Sequence, residues 1–166
     1  MKLRIAGTVN DSIVDGAGIR FTIFTQGCPH RCKDCHNPET HDFEGGRDVE
    51  TDELLEKIKA NPLLDGVTFS GGEPFAQAEV LAVLGKKIKS LGLNIVTYTG
   101  YTFEELYEKR SNNSWGELLA VTDYLVDGPF EIEKKDWSKK FRGSSNQRYI
   151  DCPASLAEGR AVEIEP

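Results

Sequence analysis

Apolar residues in this chain fall into short unbroken runs that alternate with longer stretches of helical spacing. Ile19–Thr25, Gly66–Ser70, Leu93–Thr97, Tyr124–Val126 and Arg148–Asp151 read as strands, each closed by glycine or another turn residue. Between the first three lie helical patterns. Asp52–Ala60 puts Leu54, Leu55 and Ile58 on one face, with Thr51 as the expected N-cap. Gln77–Leu91 carries Val80, Leu81, Leu84, Ile88 and Leu91 at helical spacing and stops at Gly92. Thr102-Phe103-Glu104-Glu105 is a capping-box pattern that opens a third helix. Strands alternating with helices predict βαβ units, right-handed crossovers and a mainly parallel sheet. No internal repeat or low-complexity linker divides the chain, so residues 1–166 are expected to form a single α/β domain. A closed eight-unit barrel takes ~250 residues. A chain of 166 residues therefore predicts a partial, open βα barrel, with one side of the sheet accessible to a large substrate.

Composition narrows the class. A hydrophobic content of 39% and a charged fraction of 28% fit an ordinary soluble globular protein. No apolar run approaches the length of a bilayer span. The net charge of −7, from 27 acidic and 20 basic residues, argues against general nucleic-acid binding, where a basic face supplies most of the affinity. MKLRIAGTVND lacks the apolar core of a signal peptide, so a cytoplasmic setting with reduced thiols is expected.

Chemistry concentrates in one short stretch, Gly27-Cys28-Pro29-His30-Arg31-Cys32-Lys33-Asp34-Cys35-His36. It follows the strand-like run ending at Thr25, so the thiols sit on the loop leaving a strand's carboxyl end, where ligands gather in open sheets and barrels. Three thiols this close cannot all pair as disulfides. Structural zinc is one alternative, with Cys152, His30, His36 or His41 as fourth ligand. Such sites usually come as two two-ligand knuckles separated by a longer loop. The other is an iron–sulfur cluster. A four-iron cluster normally takes four protein ligands, so three cysteines would leave one iron open to another molecule. Spacing favours the cluster.

Two glycine-bearing segments flank this loop. Asp15-Gly16-Ala17-Gly18-Ile19-Arg20 precedes its strand, and Phe21 stands where a dinucleotide loop carries its third glycine. It reads instead as a turn needing positive φ. Val67-Thr68-Phe69-Ser70-Gly71-Gly72-Glu73-Pro74 runs a strand into paired glycines at the same expected sheet edge as the cysteines. Paired glycines let backbone groups approach a ligand closely.

Cys28-x3-Cys32-x2-Cys35 and Gly71-Gly72-Glu73 together resemble the cluster motif and the methionine-binding motif of the radical S-adenosylmethionine family. Asp127-Gly128-Pro129-Phe130, Arg142-Gly143-Ser144-Ser145-Asn146-Gln147-Arg148, the lead-in before Arg20 and Tyr98-Thr99-Gly100-Tyr101-Thr102 are similar to the glycyl-radical activases that serve anaerobic ribonucleoside-triphosphate reductase. The resemblance spans residues 13–151. It implies a partial radical-S-adenosylmethionine-type barrel holding a [4Fe-4S] cluster on Cys28, Cys32 and Cys35. It implies S-adenosyl-L-methionine chelating the open iron and cleaved reductively to a 5′-deoxyadenosyl radical. The radical would abstract hydrogen from a backbone glycine of the reductase. Gly71, Gly72 and Glu73 are then expected at the methionine amino group, mostly through backbone, and Asp34 and His36, flanking Cys35, at the adenosyl portion. A flavodoxin- or ferredoxin-type donor is implied as electron source. Since the radical takes a hydrogen atom, no protein general base is expected. Asp34 stands where many radical enzymes carry an aromatic residue, and Ala17 where activases often carry proline.

Other residues have plainer expectations. Lys134, Lys135, Lys139, Lys140 and Arg142, with Trp137 and Phe141 interleaved, form either a docking site for an acidic partner or a solvated charged loop. Cys152 is expected to be a buried structural thiol, and His30 and His41 to have no catalytic role. Within the same enzyme class, the alternatives are an activase of a formate-lyase type enzyme and a 7-carboxy-7-deazaguanine synthase. Outside it stand an iron–sulfur electron carrier and a zinc-stabilised interaction module. Asp127–Phe130 and Arg142–Arg148 favour the reductase activase.

Overall fold

The apolar runs become the inner strands of one open sheet. In the computed structural model, which describes residues 1–166 except 31, 33, 34, 36, 37 and 137, the chain runs β1 (Lys2–Ser12), β2 (Arg20–Thr25), β3 (Arg47–Glu50), α1 (Thr51–Lys59), β4 (Gly66–Gly71), α2 (Ala78–Lys89), β5 (Asn94–Tyr98), α3 (Phe103–Glu108), α4 (Trp115–Val121), β6 (Tyr124–Asp127), β7 (Arg148–Asp151) and α5 (Cys152–Glu158). The strand order is β3-β1-β2-β4-β5-β6-β7. β2, β4, β5 and β6 are parallel neighbours, as the βα alternation predicts. The edges are antiparallel: β1 on β2, β3 on β1 and β7 on β6. Neither β1 nor β3 is announced by an apolar run, because each buries residues on one face only: Leu3 and Ile5 in β1, Val49 in β3.

Alternation along the parallel strands separates two faces. Phe21, Ile23, Val67, Phe69, Ile95 and Leu125 point into the main core with Leu54 and Ile58 of α1, Leu81, Leu84 and Ile88 of α2, Phe103 of α3 and Leu118 of α4. The opposite face carries Phe24, Ser70 and Tyr98 toward a cavity. The expected open side is thus the concave face, which the helices leave uncovered.

Helix ends differ from expectation in two places. Thr51 is the first helical residue of α1, and Glu50 is the N-cap, making no side-chain cap bond. α2 starts only after a 3₁₀ turn over Pro74–Gln77, which Pro74 favours, and it ends at Lys89. Leu91 therefore lies outside the helix and is 41% exposed, and Gly92 follows at φ +81°. The capping box forms as expected: the Thr102 hydroxyl accepts from the Glu105 N–H at 3.2 Å, and Glu105 Oε1 accepts from the Thr102 N–H at 3.2 Å. Thr102→Ala should cost about 1 kcal/mol in a urea melt. No helix among the described residues is long and apolar enough to cross a membrane.

Candidate functional site

The parallel register brings the ends of β2 and β4 level, with Thr25 opposite Gly71. Beyond that point the two loops are joined through backbone. Gly72 N–H donates to Thr25 O at 2.8 Å and Glu73 N–H donates to Gly27 O at 2.8 Å. Gly71 sits at φ +87°, and a Cβ there would come within 2.6 Å of Thr25 N. A Cβ on Gly72 would overlap Gly27 O. The paired glycines are therefore required for close approach of two chain segments, as well as leaving their backbone open to the cavity.

Glu73 is fully buried, and its carboxylate is saturated by protein. Oε1 accepts from Gly100 N–H at 2.8 Å and meets His30 Nε2 at 2.5 Å. Oε2 accepts from the Thr99 hydroxyl at 2.8 Å and from Phe75 N–H at 3.1 Å. This carboxylate ties the loops after β2, β4 and β5 to one another. Its side chain does not line the cavity, while Gly71 and Gly72 do.

The cavity, about 700 Å³, opens at the carboxyl ends of the strands and is lined by Cys28, Cys32 and Cys35 among others. None of the three is joined in a disulfide. Cys28 is buried; Cys32 and Cys35 are half-buried, with Cys35 N–H donating to Cys32 O at 3.2 Å. Burial pushes the Cys32 thiol above its ordinary value, which disfavours the bare thiolate. Among the described residues no three His, Cys, Asp or Glu side chains gather tightly enough to hold a single metal ion. A four-iron cluster takes each thiolate on a separate iron, and all three cysteines line the one cavity. Nε2 of His41, which lines the same cavity, is buried with no hydrogen-bond partner among the described residues. The donor set, the soft ligands and this orphaned polar atom fit an iron–sulfur group. Asp34 and His36, expected at the adenosyl portion, lie outside the described residues, as does Trp137.

The far wall comes from the two segments that follow β6 and precede β7. Arg148 Nε donates to Asp127 Oδ1 at 3.0 Å and Nη2 to Oδ2 at 2.5 Å, beneath the turn at Gly128. Asn146 Nδ2 donates to Pro129 O at 2.8 Å and Gln147 Nε2 to Gly128 O at 3.1 Å. The two signatures are thus one interlocked structure presenting Gly128, Phe130, Phe141 and Arg142 to the cavity. Arg148 also bonds Glu104, and that hydrogen bond holds the Glu104 carboxyl below its ordinary value. Of the basic run, Lys134 pairs with Glu131 at 3.1 Å on the surface, whereas Arg142 reaches the cavity.

The lead-in loop is a positive-φ turn, with Gly16 at +127° and Gly18 at +80°. It is held by Arg20, which sequence reasoning passed over. This fully buried guanidinium donates to Ala17 O at 2.8 Å and to Thr68 Oγ1 at 2.7 Å, and Thr68 in turn donates to Asp15 O at 2.7 Å. Asp15 thereby joins the cavity wall. The signal for it was a charge inside an apolar run. Cys152 is fully buried under α4, its thiol donating to Leu119 O at 3.4 Å, and burial pushes it up to about 12. It should stay unlabelled by iodoacetamide at pH 8 in the native chain and react once urea unfolds it, as read by peptide mass.

Comparison with known proteins agrees with this geometry. The 4Fe-4S single cluster domain family matches residues 14–150. The anaerobic ribonucleoside-triphosphate reductase-activating protein of Vibrio cholerae is 38% identical over 145 residues, covering 81% of this chain and 89% of the relative. That of Haemophilus influenzae is 34% identical with the same coverage. The pyruvate formate-lyase-activating enzyme of Clostridium pasteurianum is 42% identical over 129 residues, but this chain spans 50% of its length. Among solved structures, QueE from Escherichia coli matches with a TM-score of 0.53 at 19% identity, covering 61% of this chain and 54% of that one. This last likeness concerns the fold alone.

Proposed function

Because the chain belongs to the radical S-adenosylmethionine activases of the 4Fe-4S single cluster domain family, we propose that it generates a glycyl radical on anaerobic ribonucleoside-triphosphate reductase. When bound, a [4Fe-4S] cluster with S-adenosyl-L-methionine supplies one-electron reductive cleavage and a 5′-deoxyadenosyl radical. The observation that carries the reading is the placement of Cys28, Cys32, Cys35 and the Gly71-Gly72 backbone on one cavity at the carboxyl ends of parallel strands.

Cys28, Cys32 and Cys35 would hold the cluster. Gly71 and Gly72 offer backbone to the methionine amino group. Glu73, expected there mostly through backbone, also holds that backbone in place from behind with its side chain. Asp34 and His36 take the adenosyl portion. Phe24, Tyr98, Phe130 and Phe141 line the cavity with apolar surface that excludes water from a reactive radical. The uncovered concave face admits a protein segment, here the glycine-bearing loop of the reductase. A flavodoxin- or ferredoxin-type donor supplies the electron, in the cytoplasm.

A second reading, activation of a formate-lyase type enzyme, draws on the 42% identity to the Clostridium pasteurianum enzyme. The 89% coverage of the reductase activase and the interlocked segments Asp127–Phe130 and Arg142–Arg148 favour the reductase. The reading is tested by anaerobic reconstitution with iron and sulfide, followed by S-adenosyl-L-methionine and a strong reductant. Methionine and 5′-deoxyadenosine in equal amounts are expected. A fully loaded cluster without cleavage, even with the reductase present, would turn the assignment toward an electron carrier.

A further inference from the structure

His30 lies between Cys28 and Cys32 and is gripped on three sides. Its Nε2 faces Glu73 Oε1 at 2.5 Å. Its ring meets Tyr101 edge-on, with centroids 4.4 Å apart at 75°. A Cβ on Gly100 would overlap the ring, so glycine there leaves the imidazole its place. Oε1 also accepts from Gly100 N–H, so with Glu73 as the carboxylate, which has no proton to give, Nε2 is the donor in the short bond. The same Glu73 also donates its backbone N–H to Gly27 O at 2.8 Å. One residue therefore holds the chain on both sides of Cys28, by backbone before it and by side chain after it.

We propose that His30 is a positioning residue for the cluster: with Glu73 it forms a clamp across Cys28 that sets the Cys28–Cys32 segment before any iron binds. This rests on the reading that these cysteines are the cluster ligands. The physical reason is entropic and geometric. A ligand loop that is not held in place beforehand must be ordered by the metal it binds, and that ordering is subtracted from the affinity. Partners that orient ligands from outside the ligand set typically contribute 10–100-fold in metal affinity. Glu73, ordered by Thr99, Phe75 and Gly100 from other loops, is a fixed point to which the cysteine loop can be pinned.

The test compares wild type, His30→Ala and His30→Gln after anaerobic reconstitution, following release of cluster iron to a chelator, with urea melts of the unloaded proteins. Glutamine can place an amide N–H near the position of Nε2; alanine cannot. His30→Ala should release iron about tenfold faster than wild type, and His30→Gln within about threefold of it. Asp151→Ala, which loses the N-cap of α5 away from the cavity, should release iron at the wild-type rate. Wild-type release from His30→Ala, or release from Asp151→Ala as fast as from His30→Ala, would overturn the clamp. If His30→Ala does not fold by its melt, Gly100→Ala, whose methyl would displace the ring, takes its place with the same expectation and the same overturning result. A wild-type chain that takes up no iron–sulfur cluster would instead overturn the functional reading, and the clamp with it.

Discussion

Glu73→Ala is expected to destabilise the unloaded protein by about 3–5 kcal/mol, the largest effect of any single side-chain truncation at this site. The carboxylate is fully buried and satisfies Gly100 N–H, Phe75 N–H, the Thr99 hydroxyl and His30. Removing it leaves these donors without an acceptor, and each unsatisfied buried donor costs roughly 1–3 kcal/mol. Relaxation and water entry recover part of the sum. Glu73→Gln keeps the shape but turns one acceptor into a donor facing other donors, so it should recover less than half of the loss. Urea melts of the three proteins decide this. A Glu73→Ala midpoint equal to wild type would mean that the carboxylate does not hold the three loops together.

Cys32→Ala is expected to reduce cleavage of S-adenosyl-L-methionine to background, a loss of at least about a thousandfold. The two remaining thiols cannot hold a four-iron cluster with a single open position. Cys152→Ala is the matching control. It removes a buried sulfur from the core under α4, at a cost of about 1–2 kcal/mol. Its iron content and cleavage should equal those of wild type. Methionine formation at the wild-type rate by Cys32→Ala would remove this cysteine from the ligand set.

Much of this arrangement was legible in the sequence because its signals are local. The run ending at Thr25 placed the cysteines on a strand's carboxyl end, and Gly66–Ser70 placed the paired glycines at the same edge. The Thr102 capping box was equally local. The antiparallel strands β1 and β3 escaped because a strand buried on one face alternates with polar residues and leaves no apolar run. α4 and α5, each only 7 residues, were too short to show a helical period.

The part of Glu73 was illegible for a different reason. Its partners come from positions 30, 75, 99 and 100, and only the sheet order makes β2, β4 and β5 neighbours. The motif points to the backbone of Gly71-Gly72-Glu73 and says nothing of the carboxylate, which the fold uses to join protein loops. His30 gives no signal either, since nothing in Cys28-x3-Cys32 says what stands opposite. Arg20 shows the same limit: a guanidinium in an apolar run is explained only by the loop carbonyl and the threonine it reaches.

The most direct measurement of the central claim is an anaerobic electron paramagnetic resonance experiment on anaerobic ribonucleoside-triphosphate reductase mixed with the reconstituted chain, S-adenosyl-L-methionine and reductant. The account predicts an organic radical that resides on the reductase, requires the cofactor, and is absent when Cys32→Ala replaces the wild-type chain. Cleavage of the cofactor with no radical on the reductase, but with one on pyruvate formate-lyase, would contradict it.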